Sequence, residues 1–167
     1  QLHMAETLLD LDQFTAAVTA YRRLTTLIPE FAPIYTALGV ALKRSGDVAT
    51  AVSCYEQAMA LDPQDPEPVF NLALVFEEAS ESEAALAAYE TLTSIAPEML
   101  EAWVNLGNLH HREKRFTAAA VAYQRVLDVN PEDASTWSRL GVVADAMGAR
   151  DEARAHYRMA LELDPEC

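Results

Sequence analysis

Side chains that often do chemistry in proteins occur in this sequence without the partners that catalysis needs. Glu77 and Glu78 are paired carboxylates, but no nucleophile or glycine-rich loop accompanies them. His110 and His111 are adjacent, and adjacent residues on a helix point about 100° apart, so the two imidazoles cannot share a metal ion. We therefore expect no enzyme activity, no bound metal and no cofactor.

A different chemistry, hydrogen bonding to a peptide, is indicated by three polar residues at equal spacing. The step along the chain from Asn71 to Asn105 is the same as the step from Asn105 to Arg139. An Asn side chain offers both a donor and an acceptor, which suits the backbone of an extended peptide, and Arg suits a carboxylate. The alternative is that these side chains form hydrogen bonds only within the protein, since most side-chain hydrogen bonds are local or to water.

Composition and charge exclude several classes of partner. The chain has 167 residues, of which 51% are hydrophobic and 23% charged, as expected for one folded domain. Its formal net charge of -14 argues against binding nucleic acid or an anionic membrane. No apolar run approaches the roughly 18 residues of a membrane span. Cys54 and Cys167 match no metal-binding or redox spacing. We expect a cytoplasmic protein that inserts into no membrane.

The elements that carry these residues follow from a repeat of about 34 residues, which three residue types share along the chain. The prolines are Pro29, Pro63, Pro97, Pro131 and Pro165. The tyrosines are Tyr21, Tyr55, Tyr89, Tyr123 and Tyr157. The alanines are Ala17, Ala51, Ala85, Ala119 and Ala153. Such a period predicts stacked supersecondary units.

Each unit is predicted to be a pair of amphipathic helices. Tyr35, Leu38, Gly39 and Leu42 lie at the i, i+3, i+4 and i+7 spacing of one apolar helix face. Tight turns between the paired helices are predicted at Gly46 and Gly148. The second helix then ends at the repeated proline, which cannot continue it. Small residues such as Gly39 let the helix axes approach, and the repeated tyrosine is expected to fill the gap toward the next hairpin.

These units resemble the tetratricopeptide repeat family. The resemblance is carried by three motifs: Tyr35-x2-Leu38-Gly39-x2-Leu42, Trp103-x2-Leu106-Gly107-x2-His110 and Trp137-x2-Leu140-Gly141-x2-Ala144. It implies an all-α fold, a right-handed superhelical solenoid of stacked antiparallel helix hairpins. We expect a single solenoid over residues 1–167. The expected repeats are 1–31, with a truncated first helix, then 32–65, 66–99, 100–133 and 134–167.

The resemblance also implies a concave groove lined by the first helix of each hairpin, at places that differ between copies. The expected peptide-binding residues are Val40, Lys43, Arg44, Phe70, Asn71, Leu74, Val104, Asn105, Asn108, His111, Arg112 and Arg139. Thr36 occupies one of the same places. Charges alternate between successive copies at two of these places, which hold Lys43 and Arg44, then Glu77 and Glu78, then His111 and Arg112, and then Asp145. They either form ion pairs between neighbouring units or recognise a ligand with alternating charges.

The function that the resemblance implies is a scaffold or adaptor that binds another protein or an extended peptide. The repeated Asn is similar to that in the repeat region of O-linked N-acetylglucosamine transferase, so a targeting region of a larger enzyme is one alternative. A second alternative is a homo-oligomer formed through exposed solenoid ends, because no polar capping helix follows the helix expected over residues 150–163.

Overall fold

The computed structural model describes residues 2–165, apart from the side chains of Leu2 and Asp10, so Cys167 lies outside the described residues. The regular structure in this range consists of ten helices. Their bounds are α1 Leu2–Asp10, α2 Phe14–Leu27, α3 Ala32–Ser45, α4 Val48–Leu61, α5 Pro66–Glu78, α6 Ser82–Ile95, α7 Leu100–Arg112, α8 Phe116–Val129, α9 Ala134–Ala146 and α10 Arg150–Leu163. The predicted all-α helical-repeat fold is confirmed.

The chain divides into two compact units, residues 1–88 and residues 89–167. In the first unit each of the helices α1 to α5 packs against the next one, and α3 also contacts α5. In the second unit α7, α8, α9 and α10 pack in the same consecutive order. A run of contacts between sequence neighbours is typical of stacked repeats, in which every hairpin is stabilised by those beside it.

The same close contact holds the two helices of a hairpin together in both units. A Cβ atom added to Gly39 would lie 2.5 Å from Tyr55, and one added to Gly107 would lie 2.5 Å from Tyr123. A side chain at either glycine would displace the tyrosine ring, and the matching residues of the other hairpins are likewise small, among them Ala5 and Ala73. The ring therefore packs within its own hairpin, a contact that the sequence analysis did not assign. The repeated alanines of the second helices, Ala51 and Ala119 among them, are fully buried.

The turn inside each hairpin uses one residue with left-handed backbone geometry. The predicted turns at Gly46 (φ 94°) and Gly148 (φ 80°) are confirmed. The residues at the matching place of the other hairpins are Asp12 (φ 56°), Ser80 (φ 61°) and Lys114 (φ 60°). In these three a residue with a Cβ adopts a conformation that favours glycine, so the turns are strained.

Three of the first helices are oriented by a bond to the preceding hairpin. The Tyr35 hydroxyl donates to the carbonyl oxygen of Pro29 at 3.0 Å. The indole N–H groups of Trp103 and Trp137 donate to the carbonyls of Pro97 and Pro131 at 2.9 and 2.8 Å. One aromatic side chain in each of these copies thus fixes where the first helix begins, and with it the residues expected to meet a partner.

Candidate peptide-binding surfaces

In the first unit the expected residues lie on α3 and α5. Val40, Phe70, Asn71 and Leu74 are half-buried, and Arg44 is exposed. The Asn71 amide donates to the carbonyl oxygen of Glu67 in its own helix, at 3.0 Å. One of its donors is therefore already used within α5, as in the local alternative left open by the sequence.

The charged residues of α3 and α5 form an ion pair across the two helices. Lys43 Nζ lies 2.8 Å from Glu78 Oε1, which confirms ion pairing between neighbouring copies for this pair. In the second unit a different bond is present at the matching place, because the Tyr157 hydroxyl donates to Asp145 Oδ2 at 3.2 Å. Intramolecular contacts thus account for part of the alternating charge.

A pocket that the sequence analysis did not predict opens on the first unit. Its volume is about 420 Å³. The lining residues come from four helices and from Phe31, which directly precedes α3. They are Glu6 and Leu9 of α1, Tyr21 of α2, Pro33, Ala37 and Val40 of α3, and Glu67 of α5. Desolvation, with a smaller effect from Asp65, raises the pKa of Glu67 above its ordinary value. An apolar pocket with carboxylates among its lining residues suits an apolar side chain accompanied by a cation.

In the second unit the expected residues lie on α7 and α9. Val104, Asn105, Asn108 and His111 of α7 are half-buried, as is Arg139 of α9, while Arg112 is exposed. The His111 ring lies beside Phe116, with 5.7 Å between ring centroids. The second unit thus carries five half-buried groove residues on two of its first helices.

Asn108 is held in place by a tyrosine that the sequence analysis had assigned only to the core. The Tyr123 hydroxyl donates to Asn108 Oδ1 at 2.8 Å. Desolvation raises the pKa of Tyr123, and the positive charge of Arg139 opposes that shift. With its oxygen occupied, Asn108 presents its amide N–H groups as donors.

Asn105 and Arg139 differ from Asn71 because their polar groups are unused. Among residues 2–165 no side-chain hydrogen bond or ion pair involves Asn105 or the Arg139 guanidinium. The Nε of Arg139 is buried without a partner. The relation of Asn71 to Asn105 as one ladder stays a prediction.

One expected groove position is wrong. Thr36 is only 2% exposed, so its side chain belongs to the core of the first unit and cannot contact a peptide. Its hydroxyl is buried without a partner. The repeat pattern could not reveal this burial, because Thr is polar enough to be expected on a surface and small enough to be enclosed.

Neither a metal-binding group nor a membrane-spanning helix is present among the described residues. Within residues 2–165 no group of His, Cys, Asp and Glu side chains is placed to bind a metal ion. In the same range, each helix is too short or too polar to cross a lipid bilayer.

Solved structures with the same fold share low sequence identity with this chain. A crystal structure of MamA is 20% identical, with a TM-score of 0.85 over 97% of this chain and 95% of that one. MamA from Desulfovibrio magneticus RS-1 is 19% identical, with a TM-score of 0.81 over 98% of this chain and 93% of that one. YrrB, described as a TPR protein with an unusual peptide-binding site, is 18% identical, with a TM-score of 0.81 over 98% and 84%. A search of curated protein sequences found no match.

Family models cover most of the sequence. One model described as Tetratricopeptide repeat matches residues 2–66 and 36–98, and a second with the same description matches residues 98–166. These matches agree with the period of the repeat, the helical hairpins and the glycine–tyrosine contacts within them. The chain belongs to the tetratricopeptide repeat family.

Proposed function

We propose that this protein is a scaffold that holds an extended peptide of a partner against its first helices. The tetratricopeptide repeat fold supports a role in protein interaction, and YrrB is an example described as having a peptide-binding site. The observation that carries the proposal is the pair of unused polar side chains, Asn105 and Arg139, on α7 and α9. Packing of the repeats gives no reason for half-buried polar groups without partners.

The groups available on α7 and α9 match the chemistry of a peptide. The Asn105 amide can donate to a backbone carbonyl and accept from a backbone N–H. Asn108, held by Tyr123, offers a second donor. The Arg139 guanidinium can pair with a carboxylate, either a side chain or a chain terminus. Val104 adds a half-buried apolar contact on the same helix as the two amides.

We also propose that the protein acts by binding alone and catalyses no reaction. Glu77 and Glu78 have no glycine-rich loop beside them in the sequence and match no catalytic constellation. The alternative is that this chain is the targeting region of a larger enzyme. In that role it would also bind a peptide at its first helices. The sequence of the full gene separates the two roles.

The proposal is tested by selecting peptide binders from a random library displayed on phage, followed by calorimetry with variants. Asn105→Ala should weaken binding by about 0.5–1.5 kcal/mol, because it removes a hydrogen-bonding pair. Arg139→Ala should cost more where the peptide supplies a carboxylate, and that difference should shrink as salt is added. Unfolding curves of both variants should match that of the unmodified protein, because neither side chain belongs to the repeated core.

The control substitutions are on second helices. Arg125 and Arg158 are exposed residues of α8 and α10. Arg158→Ala and Arg125→Ala should leave peptide affinity unchanged. Affinity that survives Asn105→Ala and Arg139→Ala but falls with the two control variants would place the binding site on the second helices and refute the proposal.

A further inference from the structure

The pocket on the first unit occupies the places where the second unit carries amides. Ala37 and Val40 of α3 occupy, two repeats earlier, the places of Asn105 and Asn108 of α7. Both therefore lie on the face of α3 that corresponds to the Asn105 and Asn108 face of α7, and both line the pocket. A volume of about 420 Å³ falls in the range of about 300–1,000 Å³ of ligand pockets, and it holds a large side chain together with part of its neighbour.

The pocket is apolar where it is formed by α3 and acidic where α1 and α5 contribute. Leu9, Ala37 and Val40 pack against the core of the first unit. Phe31 is 42% exposed, so part of its side chain is accessible to a ligand. Aromatic faces attract guanidinium and ammonium groups.

Within the described part of the chain, the carboxylates of the pocket have no Lys or Arg partner. Glu67 forms no ion pair within residues 2–165, and Glu6 lies 3.7 Å from the imidazole of His3. Residues 1–88 contain 13 Asp and Glu against 4 Lys and Arg, a net charge of -9. One of the four cations, Lys43, is already paired with Glu78, and none of the four lines the pocket.

We propose that this pocket binds an aromatic or branched aliphatic side chain of the partner peptide together with a Lys or Arg side chain two residues away, on the same face of the extended peptide. The inference rests on the proposed function and names the chemistry of the partner. The apolar side chain fills the space above Ala37 and Val40. The cation meets the carboxylates of Glu6 and Glu67 and the exposed ring of Phe31. An acidic peptide is repelled by the same carboxylates.

The test uses three synthetic peptides of about a dozen residues in a Ser/Gly background, a length that spans roughly 40 Å when extended. Their central residues are Phe-Ser-Arg, Phe-Ser-Glu and Ala-Ser-Arg, which give the Phe-Arg, Phe-Glu and Ala-Arg peptides, and each carries a fluorophore for anisotropy titration. We expect the Phe-Arg peptide to bind more tightly than the other two. Glu67→Gln should lower the affinity for that peptide by about two- to fivefold, as for the loss of one exposed charge pair. The affinity for the Ala-Arg peptide should stay low in both proteins.

Glu101→Gln is the matched control. Glu101 is exposed, lies in the first turn of α7 and corresponds to Glu67 one repeat earlier, but it does not line the pocket. We expect no change in affinity for the Phe-Arg peptide. Ala37→Leu, which reduces the space available above α3, should weaken that peptide without altering its preference for Arg over Glu.

The outcomes separate this inference from the proposed function. Equal binding of the Phe-Arg and Phe-Glu peptides, or equal loss of affinity in Glu67→Gln and Glu101→Gln, overturns the pocket assignment. Peptides that respond to Asn105→Ala but not to Glu67→Gln also overturn it, and they support the proposed function. A response to Glu67→Gln alone supports the pocket and contradicts the proposed role of α7 and α9.

Discussion

The first helices of the two units share the same repeat pattern but present different chemistry to a partner. In the first unit Asn71 is bonded to its own helix and Lys43 to Glu78, while Ala37 and Val40 line an apolar pocket. In the second unit Asn105 and Arg139 have unused polar groups. The comparison shows that residue type at a repeated place does not decide availability to a partner. The neighbouring side chains decide it.

The comparison assumes that the hairpins of both units pack in the same way. The prediction with the largest expected effect tests that assumption. Ala51 of α4 and Ala119 of α8 are both fully buried. Ala51→Leu and Ala119→Leu should each destabilise the protein by about 1–3 kcal/mol through overpacking. Denaturant unfolding measures both. An unchanged unfolding midpoint in either variant would contradict the assignment of these residues to the contact within a hairpin.

The strained turns allow a stabilising change in each unit. Ser80→Gly in the first unit and Lys114→Gly in the second remove a Cβ from a residue with φ near 60°. Each should raise stability by about 0.5–1 kcal/mol, because the relief of strain exceeds the entropy lost by glycine. Gly148→Ala introduces the same strain and serves as the opposite control. A stabilising effect of Gly148→Ala would show that these turns carry no strain.

A pH effect is expected in the second unit. His110 is buried, its Nδ1 has no partner, and desolvation lowers its pKa below the ordinary value. In the unfolded chain the His110 imidazole takes up a proton below about pH 6.5. In the folded protein its lowered pKa delays that protonation to a lower pH. Stability should therefore fall as the pH decreases through about 6.5 and level off once the folded protein is also protonated.

The control for that effect is taken from the first unit. Leu42 is the buried residue at the place that matches His110, so His110→Leu should fold. The stability difference between the two proteins should widen in favour of Leu as the pH falls. A difference that is constant with pH would exclude His110 as the cause.

The smallest expected effect concerns the ion pair of the first unit. Glu78 is largely exposed, with 65% of its side chain accessible, so solvent screens the pair. Lys43→Met should cost no more than about 1 kcal/mol of stability, and a double-mutant cycle with Glu78→Gln should give a coupling of similar or smaller size. Coupling well above that value would indicate that the pair is a structural element of the first unit.

The fold could be predicted from sequence because the repeat records it five times. Pro29 and its counterparts follow closely after the ends of the second helices, and the residues opposite the repeated tyrosines are all Gly or Ala. The state of each site residue could not be predicted. Whether Asn71 bonds to its own helix or Asn108 to Tyr123 depends on rotamers of similar energy that only the packed neighbours decide. The pocket was missed because Phe31, Glu6 and Glu67 come together only in the folded unit.

The claim that a partner lies on the first helices is tested most directly by amide NMR of the isotope-labelled protein, titrated with the Phe-Arg peptide and with a phage-selected peptide. We predict chemical-shift changes in α3 and α5 around Ala37, Val40 and Glu67 with the first peptide, and in the side-chain amide of Asn105 with the second. Shift changes confined to the second helices α2, α4, α6, α8 and α10, with the Asn105 amide unmoved, would contradict it.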